Sequence, residues 1–282
     1  MIRRCDEKRR ITIISLLLVL MLLVSGCSGA KSPKQIAEKM TTELEKTPCT
    51  KMTMDMETKM TMSAENGTSM DIGMDISNET TLNYDPIATY SIMNMSMTTL
   101  GQTVDMKTET YTIANEDNIV SYTGMDGTWY KVAVESSIEE LTAQASEINL
   151  DTETIALDKE VTEWEGNKVL CLKDTITGDK MLDLIGTTLQ GMTDSSSAEV
   201  MQDIDWSQIS CDLIIYVNPE TYLPIAEEIN ISGMEKAMET IFSSLNVDVN
   251  IDTYKATIKY TSFDEQEKIE VPADVIEKAS DL

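Results

Sequence analysis

The chain has no histidine. That removes the commonest general base and the commonest metal ligand together. It has only two phenylalanines, and aromatics make up 5% of its residues, so rings cannot form most of the core. Basic residues are scarce, with 22 Lys and Arg against 49 Asp and Glu and a formal charge of −27. Such a chain does not gather phosphates, which excludes nucleic acid and anionic headgroups as charge-driven partners. No apolar run reaches the roughly 20 residues that span a bilayer; Ile11 to Val24 falls short. There is no nucleophile elbow, no phosphate-binding glycine loop and no EF-hand spacing. Carboxylate pairs such as Glu139/Glu140, Glu227/Glu228 and Asp203/Asp205 are what an acidic chain shows by chance. The expectation is therefore a protein without catalytic residues, cofactor or metal.

The N-terminus carries the first positive signal. Arg3, Arg4, Lys8, Arg9 and Arg10 precede the apolar run, and Ser25-Gly26-Cys27 follows it. A basic segment, an apolar segment and small residues make a secretory signal. Val24-Ser25-Gly26-Cys27 also resembles the lipobox of bacterial lipoproteins. That resemblance implies diacylglyceryl transfer to the Cys27 sulfur and cleavage just before it. It places the mature chain on the extracytoplasmic face of the cell membrane, held by its lipid anchor. Loss of residues 1–26 leaves a still more acidic chain, and two or more acyl chains can hold it despite repulsion. Ser28 to Ser32 forms a short tether, about 17 Å at full extension.

The dominant pattern begins at Lys51. Met52, Met54, Met56, Met60 and Met62 share one parity, while Thr53, Asp55, Glu57, Lys59 and Thr61 share the other. After a turn at Glu65-Asn66-Gly67, Met70, Ile72, Met74 and Ile76 resume it. Met93, Met95 and Met97 alternate in a third run, and Met106 falls in a fourth. Side chains of a strand point alternately to opposite faces, so these methionines line one face of a sheet. The chain holds 20 methionines, ten times its phenylalanines, so thioethers replace rings as apolar filler. Three uses fit that face. It packs a core, it lines a cavity for a lipid-like ligand, or its soft sulfurs bind Cu(I) with Cys49 as a nearby thiol.

Other elements follow the same rules. Ser32-Pro33 reads as N-cap and first residue of a helix to about Lys46. Strands are expected at 50–63, 68–82, 87–99, 102–114, 117–123 and 128–134. Tyr90 and Ile92 fall on the parity opposite Met93, which predicts a bulge or a face switch there. Leu100-Gly101 and Asp126-Gly127 mark tight hairpins. Helices are expected at Ser136 to Ile148 and Asp179 to Gln190, with a helical turn within Ala198 to Trp206. Strands at 155–164 and 167–175 form one hairpin, and Ile209 to Tyr216 and Tyr222 to Ile231 form another. Ser232 caps a helix to about Leu245; Val247 to Tyr260 and Phe263 to Val271 close the sheet, and Pro272 to Ala279 ends the chain as a helix. Cys171 and Cys211 lie in strands, either paired or as small buried apolar groups.

The expected class is α+β: a curved antiparallel sheet of about 11–12 strands, with helices covering one face. Residues 33–282 read as one domain and as a monomer. The lipobox, the capped first helix and the alternating strands resemble lipoproteins of the LolA/LppX superfamily. So do Asp126-Gly127-Thr128-Trp129-Tyr130-Lys131, Tyr216 to Pro224 and Ile269-Glu270-Val271-Pro272. The resemblance implies an unclosed half-barrel, helices covering its concave face and an apolar cavity between, in a group associated with carrying lipids or lipoproteins.

One outcome tests the anchor directly. Cys27→Ser is expected to abolish incorporation of labelled palmitate and leave an uncleaved precursor; a cleaved, unlabelled chain in both forms would mean an ordinary signal peptide.

Overall fold

A computed structural model describes residues 31–64, 68–114, 118–134, 154–178, 180, 205–241, 247–264 and 266–281. The signal segment with Cys27, the turn at Glu65-Asn66-Gly67, the helix expected at Ser136 to Ile148, the helix at Asp179 to Gln190 apart from Lys180, and the turn expected within Ala198 to Trp206 as far as residue 204 lie outside them.

Helix α1 (Pro33–Leu44) starts where the capping residues put it. The Ser32 hydroxyl accepts from the Gln35 amide while the Gln35 side chain accepts from the Ser32 amide, a reciprocal cap for the orphan donors of the first turn. Ile36, Ala37 and Met40 are its buried side. Lys31 and Lys39 hold their ammonium groups over the Tyr222 ring, at 3.9 and 3.8 Å from its centroid.

Six strands then run up and down: β1 (Cys49–Ala64), β2 (Ser69–Tyr84), β3 (Ile87–Thr99), β4 (Gln102–Ala114), β5 (Ile119–Met125) and β6 (Thr128–Val134). Leu100-Gly101 and Asp126-Gly127 turn with positive φ at both positions, the geometry that suits the twist of a tight hairpin. After Thr154 come β7 (Ala156–Asp158), the small hairpin β8 (Glu163–Trp164) and β9 (Asn167–Lys168), and β10 (Leu170–Thr177). The hairpin expected over 155–175 is thus split, with β8–β9 a separate two-stranded sheet. A single 3₁₀ turn covers Trp206–Gln208. Next are β11 (Ser210–Val217), β12 (Pro224–Ser232), helix α2 (Met234–Ile241), β13 (Val247–Ser262), helix α3 (Ala273–Lys278) and β14 (Ser280–Asp281).

Twelve strands form one open, curved sheet in the order β14-β6-β5-β4-β3-β2-β1-β13-β12-β11-β10-β7. Ser232 belongs to β12, where its hydroxyl shares a hydrogen bond with Ser210 at 2.7 Å, and so does not open α2 as expected. Phe263 to Val271 adds no strand: from Gln266 it runs as a connector, with the Glu267 carbonyl accepting from Asn83. The closing edge is instead β14, which pairs parallel to β6 through Ser280 and Tyr130. Neither a bulge nor a face switch occurs at Met93, where β3 pairs with β2 and β4 in unbroken register. Tyr90 faces the other way because it packs on the opposite face, its ring 4.6 Å from that of Tyr111.

Two glycines are required by close approach. A Cβ at Gly233, where φ is +81°, would sit 2.0 Å from the Gln208 carbonyl oxygen; one at Gly124 would lie 2.8 Å from the Trp129 ring. Backbone cannot step aside as an indole can. Gly233→Ala is therefore expected to cost at least about 2 kcal/mol and Gly124→Ala less, as read from denaturation midpoints. Equal costs would contradict this account.

Candidate functional site

Register shows which side chains share a face, because directly paired residues point the same way. Met54 lies between Ile258 of β13 and Asn78 of β2, and Asn78 pairs in turn with Met93 of β3. Met56 lies between Ala256 and Ile76, and Ile76 leads through Met95 to Met106 of β4. Thr58 lies between Tyr254 and Met74, and Met74 leads to Met97. Met60 pairs with Ile72, Met62 with Met70, and Met52 with Tyr260. All the candidate positions thus share one face of β1 to β4, in rows about 4.8 Å apart.

None of them is fully buried. Their side chains are half-buried, and Met97 is 38% exposed. Among them are polar atoms that are buried. Thr58 is 2% exposed, and the oxygens Thr58 Oγ1, Asn78 Oδ1 and Thr99 Oγ1 have no hydrogen-bond partner.

The same face continues past β13. Glu227 pairs with Ile258 and Ile215, and Ile215 with Leu172. There α1 closes over it: Ile36, Ala37 and Met40 pack with Leu172 and Ile215. Beside them Ala237 and Met234 of α2 pack with Trp206, Cys211 and Ile229. The described helices α1 and α2 therefore cover the β10–β12 end of this face.

Between the packed end and the methionines lies a polar pair that sequence reasoning assigned to chance. Tyr260 donates to Glu227 Oε1 at 2.7 Å and stacks on Phe263, 5.7 Å between centroids. Burial pushes the Glu227 carboxyl above the usual carboxylate range, partly opposed by the tyrosine's hydrogen bond. Burial and that neighbouring carboxylate push the phenol up as well. Nearby, Thr50 and Tyr84 share a hydrogen bond at 2.9 Å. The signal available in the sequence was parity: Glu227 occupies the apolar phase of β12, with Ile229 and Ile231.

The opposite face is different in kind. Asp55, Glu57, Asp75 and Ser77 border an open depression of about 470 Å³, and Asp212, Asn230, Asp252 and Lys255 border another of about 660 Å³. Neither is lined by the run of methionine side chains, though Met56 and Met234 touch them. Tyr90, Tyr111 and Trp129 stack there too, with Glu109 accepting from both phenols at 2.7 and 3.1 Å.

The cysteines join neither face's chemistry. Cys49 pairs with Asn83 and so falls on the parity opposite Met52, which deprives the Cu(I) reading of its thiol. Cys171 pairs with Tyr216 and Cys211 with Ile176, on opposite faces of the sheet, so they cannot bond to each other. Among the described residues all three are buried thiols outside any disulfide, and burial raises the thiols of Cys171 and Cys211.

Residues 32–280 match the model of a family of unknown function, DUF6612. The chain belongs to this family. No curated protein matches it. Among solved structures, a β-barrel-like protein of domain of unknown function DUF1849 from Brucella abortus aligns at 10% identity. The alignment covers 79% of this chain and 100% of that one with a TM-score of 0.23, too low to carry an argument about the fold. Neither finding places this DUF6612 chain in the LolA/LppX superfamily.

The Glu227 pair makes a pH prediction. A carboxyl whose folded pKa is raised contributes stability below its unfolded value, near 4, and loses it as pH rises through the folded value. Glu227→Gln keeps an acceptor for Tyr260 without the charge. The variant should melt above the wild type at pH 8, with the difference closing by pH 4; a gain that is equal at both would refute a buried ionisable acid.

Proposed function

We propose that this DUF6612 chain is a membrane-anchored, extracytoplasmic lipoprotein that holds a lipid-like molecule against its methionine face. The reading is of a carrier without catalysis, anchored through Cys27 and acting as a monomer. The observation that supports it most is the placement of Met54, Met56, Met74, Met93 and Met95 together on one half-buried face. Unbranched thioether side chains reshape around irregular apolar shapes at small cost. Burying a chain of methylenes on such a surface contributes about 0.8 kcal/mol per CH₂.

The finer architecture belongs to the same proposal. In it the open sheet is a LolA-like half-barrel, its concave side is the methionine face, and helices roof it beyond the end that α1 and α2 occupy. A second reading rests on that occupied end. Ile36 and Leu172 are 1% and 0% exposed, so one part of the face is closely filled. If the whole face is filled in the same way, the protein is an envelope interaction module.

Protein expressed without residues 1–26 and purified without detergent separates the two. Its organic extract should contain a lipid species in near-stoichiometric amount by mass spectrometry. An empty extract, together with no displacement of Nile red by any lipid, would favour the filled module and overturn the carrier.

A further inference from the structure

Resting on the carrier reading, the methionine face is also a place for covalent chemistry. Among the described residues, sulfur is divided by its access to solvent. The thiols are sealed, with Cys49 and Cys171 at 0% and Cys211 at 5% exposure. The thioethers of the face are within reach: Met54, Met56, Met74 and Met95 are half-buried, and Met97 is 38% exposed. A reachable thiolate is the usual first target of an oxidant. Here the fold reverses that order, and an oxidant arriving from solvent meets thioether first. The α1 end is different again. Ile36, Leu172, Ile215 and Val217 hold it together without sulfur, and Met40 beside them is 5% exposed.

A peroxide gives one oxygen atom to a thioether. The sulfur lone pair attacks the outer peroxide oxygen and the O–O bond breaks. The sulfur is oxidised by two electrons, and the proton of the transferred hydroxyl passes to the departing oxygen, which leaves as water or an alcohol. The sulfoxide is polar and accepts hydrogen bonds without donating any. Its surroundings hold no donors to meet it. Register flanks Met56 with Ala256 and Ile76, Met60 with Ile251 and Ile72, Met62 with Val249 and Met70, and Met95 with Ile76 and Met106. The Tyr260 hydroxyl, in the row of Met52, is already given to Glu227. Water is left as the donor, so oxidation wets the face and weakens its hold on an apolar chain.

We infer that the methionine face is a modification site, a peroxide-sensitive latch: conversion of its thioethers to sulfoxides releases the cargo while the sealed end keeps the chain folded. The change is reversible. Methionine sulfoxide reductases, one for each sulfur epimer, restore the thioether; the oxygen leaves as water while two thiols of the reductant become a disulfide.

The test treats the protein lacking residues 1–26 with graded hydrogen peroxide, removes the peroxide and titrates with Nile red. Peptide mass mapping locates the added oxygen, and the thermal transition reports the fold. Oxygen should appear on Met56, Met62, Met95 and Met97 before Met40, and the transition should persist. Nile red affinity should fall about tenfold or more, the effect of leaving one or two polar groups without partners. Both reductases with a dithiol should return it. A chain carrying Met56→Leu, Met60→Leu, Met62→Leu and Met95→Leu, referred to its own untreated affinity, should lose severalfold less than the wild type. If that chain does not fold, rescue of the wild type by the reductases carries the test. Sulfoxides at these positions with affinity unchanged, a loss that accompanies unfolding or resists the reductases, or an equal loss in the leucine chain overturns the inference and leaves the carrier standing. An untreated protein that does not bind Nile red removes the carrier, and the inference with it.

Discussion

The structure depends on phase matching across one long-range pairing, β1 against β13. Strand alternation tolerates no drift, since a slip of one residue turns every side chain to the other face. Yet the apolar residues of β13 change phase midway: Val247, Val249 and Ile251 are odd, whereas Tyr254, Ala256, Ile258 and Tyr260 are even. β1 stays even throughout. The conflict is resolved by one extra residue. Lys59 pairs with Thr253 and Met60 with Ile251, which leaves Asp252 bulged out of the ladder. Beyond the bulge Val249 is 4% exposed while Asp248, Asn250 and Asp252 face solvent. A second shift, between Lys51 and Met52, falls at Thr261. Without the bulge at Asp252, the first half of β13 would turn Asp248 and Asp252 onto the methionine face.

That alternation explains why so much was legible and where legibility stopped. The spans of β1 to β6, the positive-φ turns at Leu100-Gly101 and Asp126-Gly127, and the Ser32 cap are local features, written within a few residues. β14 and the split of β8–β9 from β10 are decided by what lies alongside, which no local pattern records. The bulge expected at Met93 came from reading Tyr90 and Ile92 as a phase break. They are a second apolar face, where Tyr90, Tyr111 and Trp129 stack. The real phase break, at Asp252, was visible as the odd-to-even change in β13. The site was readable as a set of methionines but not as a surface with polar points. Thr58 and Asn78 occupy the methionine parity, and attending to those exceptions was the way to find them.

The two faces also answer one another electrostatically. Asp55, Glu57, Asp75 and Glu79 project from the reverse of the methionine strands and are exposed. A half-buried thioether surface invites association, and a dense layer of like charge on the same strands opposes stacking of copies. The sheet's edges are managed by length, since β14 has two residues and β7 three. Short edges offer little template for pairing with another chain.

One contrast within the face bears on why the residue is methionine. At the β10–β12 end, where α1 seals the surface, the buried strand residues are Leu172, Ile215 and Val217. These have few rotamers and fix a single packing. Along β1 to β4 the face turns to methionine, which strands do not favour and which gives up more side-chain freedom on burial than isoleucine or leucine. A permanent core gains nothing from that substitution and loses definition. The same flexibility becomes useful where the contact is temporary and the shape to be met varies. Branched aliphatics lie under the helix that stays, and thioethers lie where the described helices do not cluster. The division follows the mechanics of a surface with one fixed end and one adaptable end.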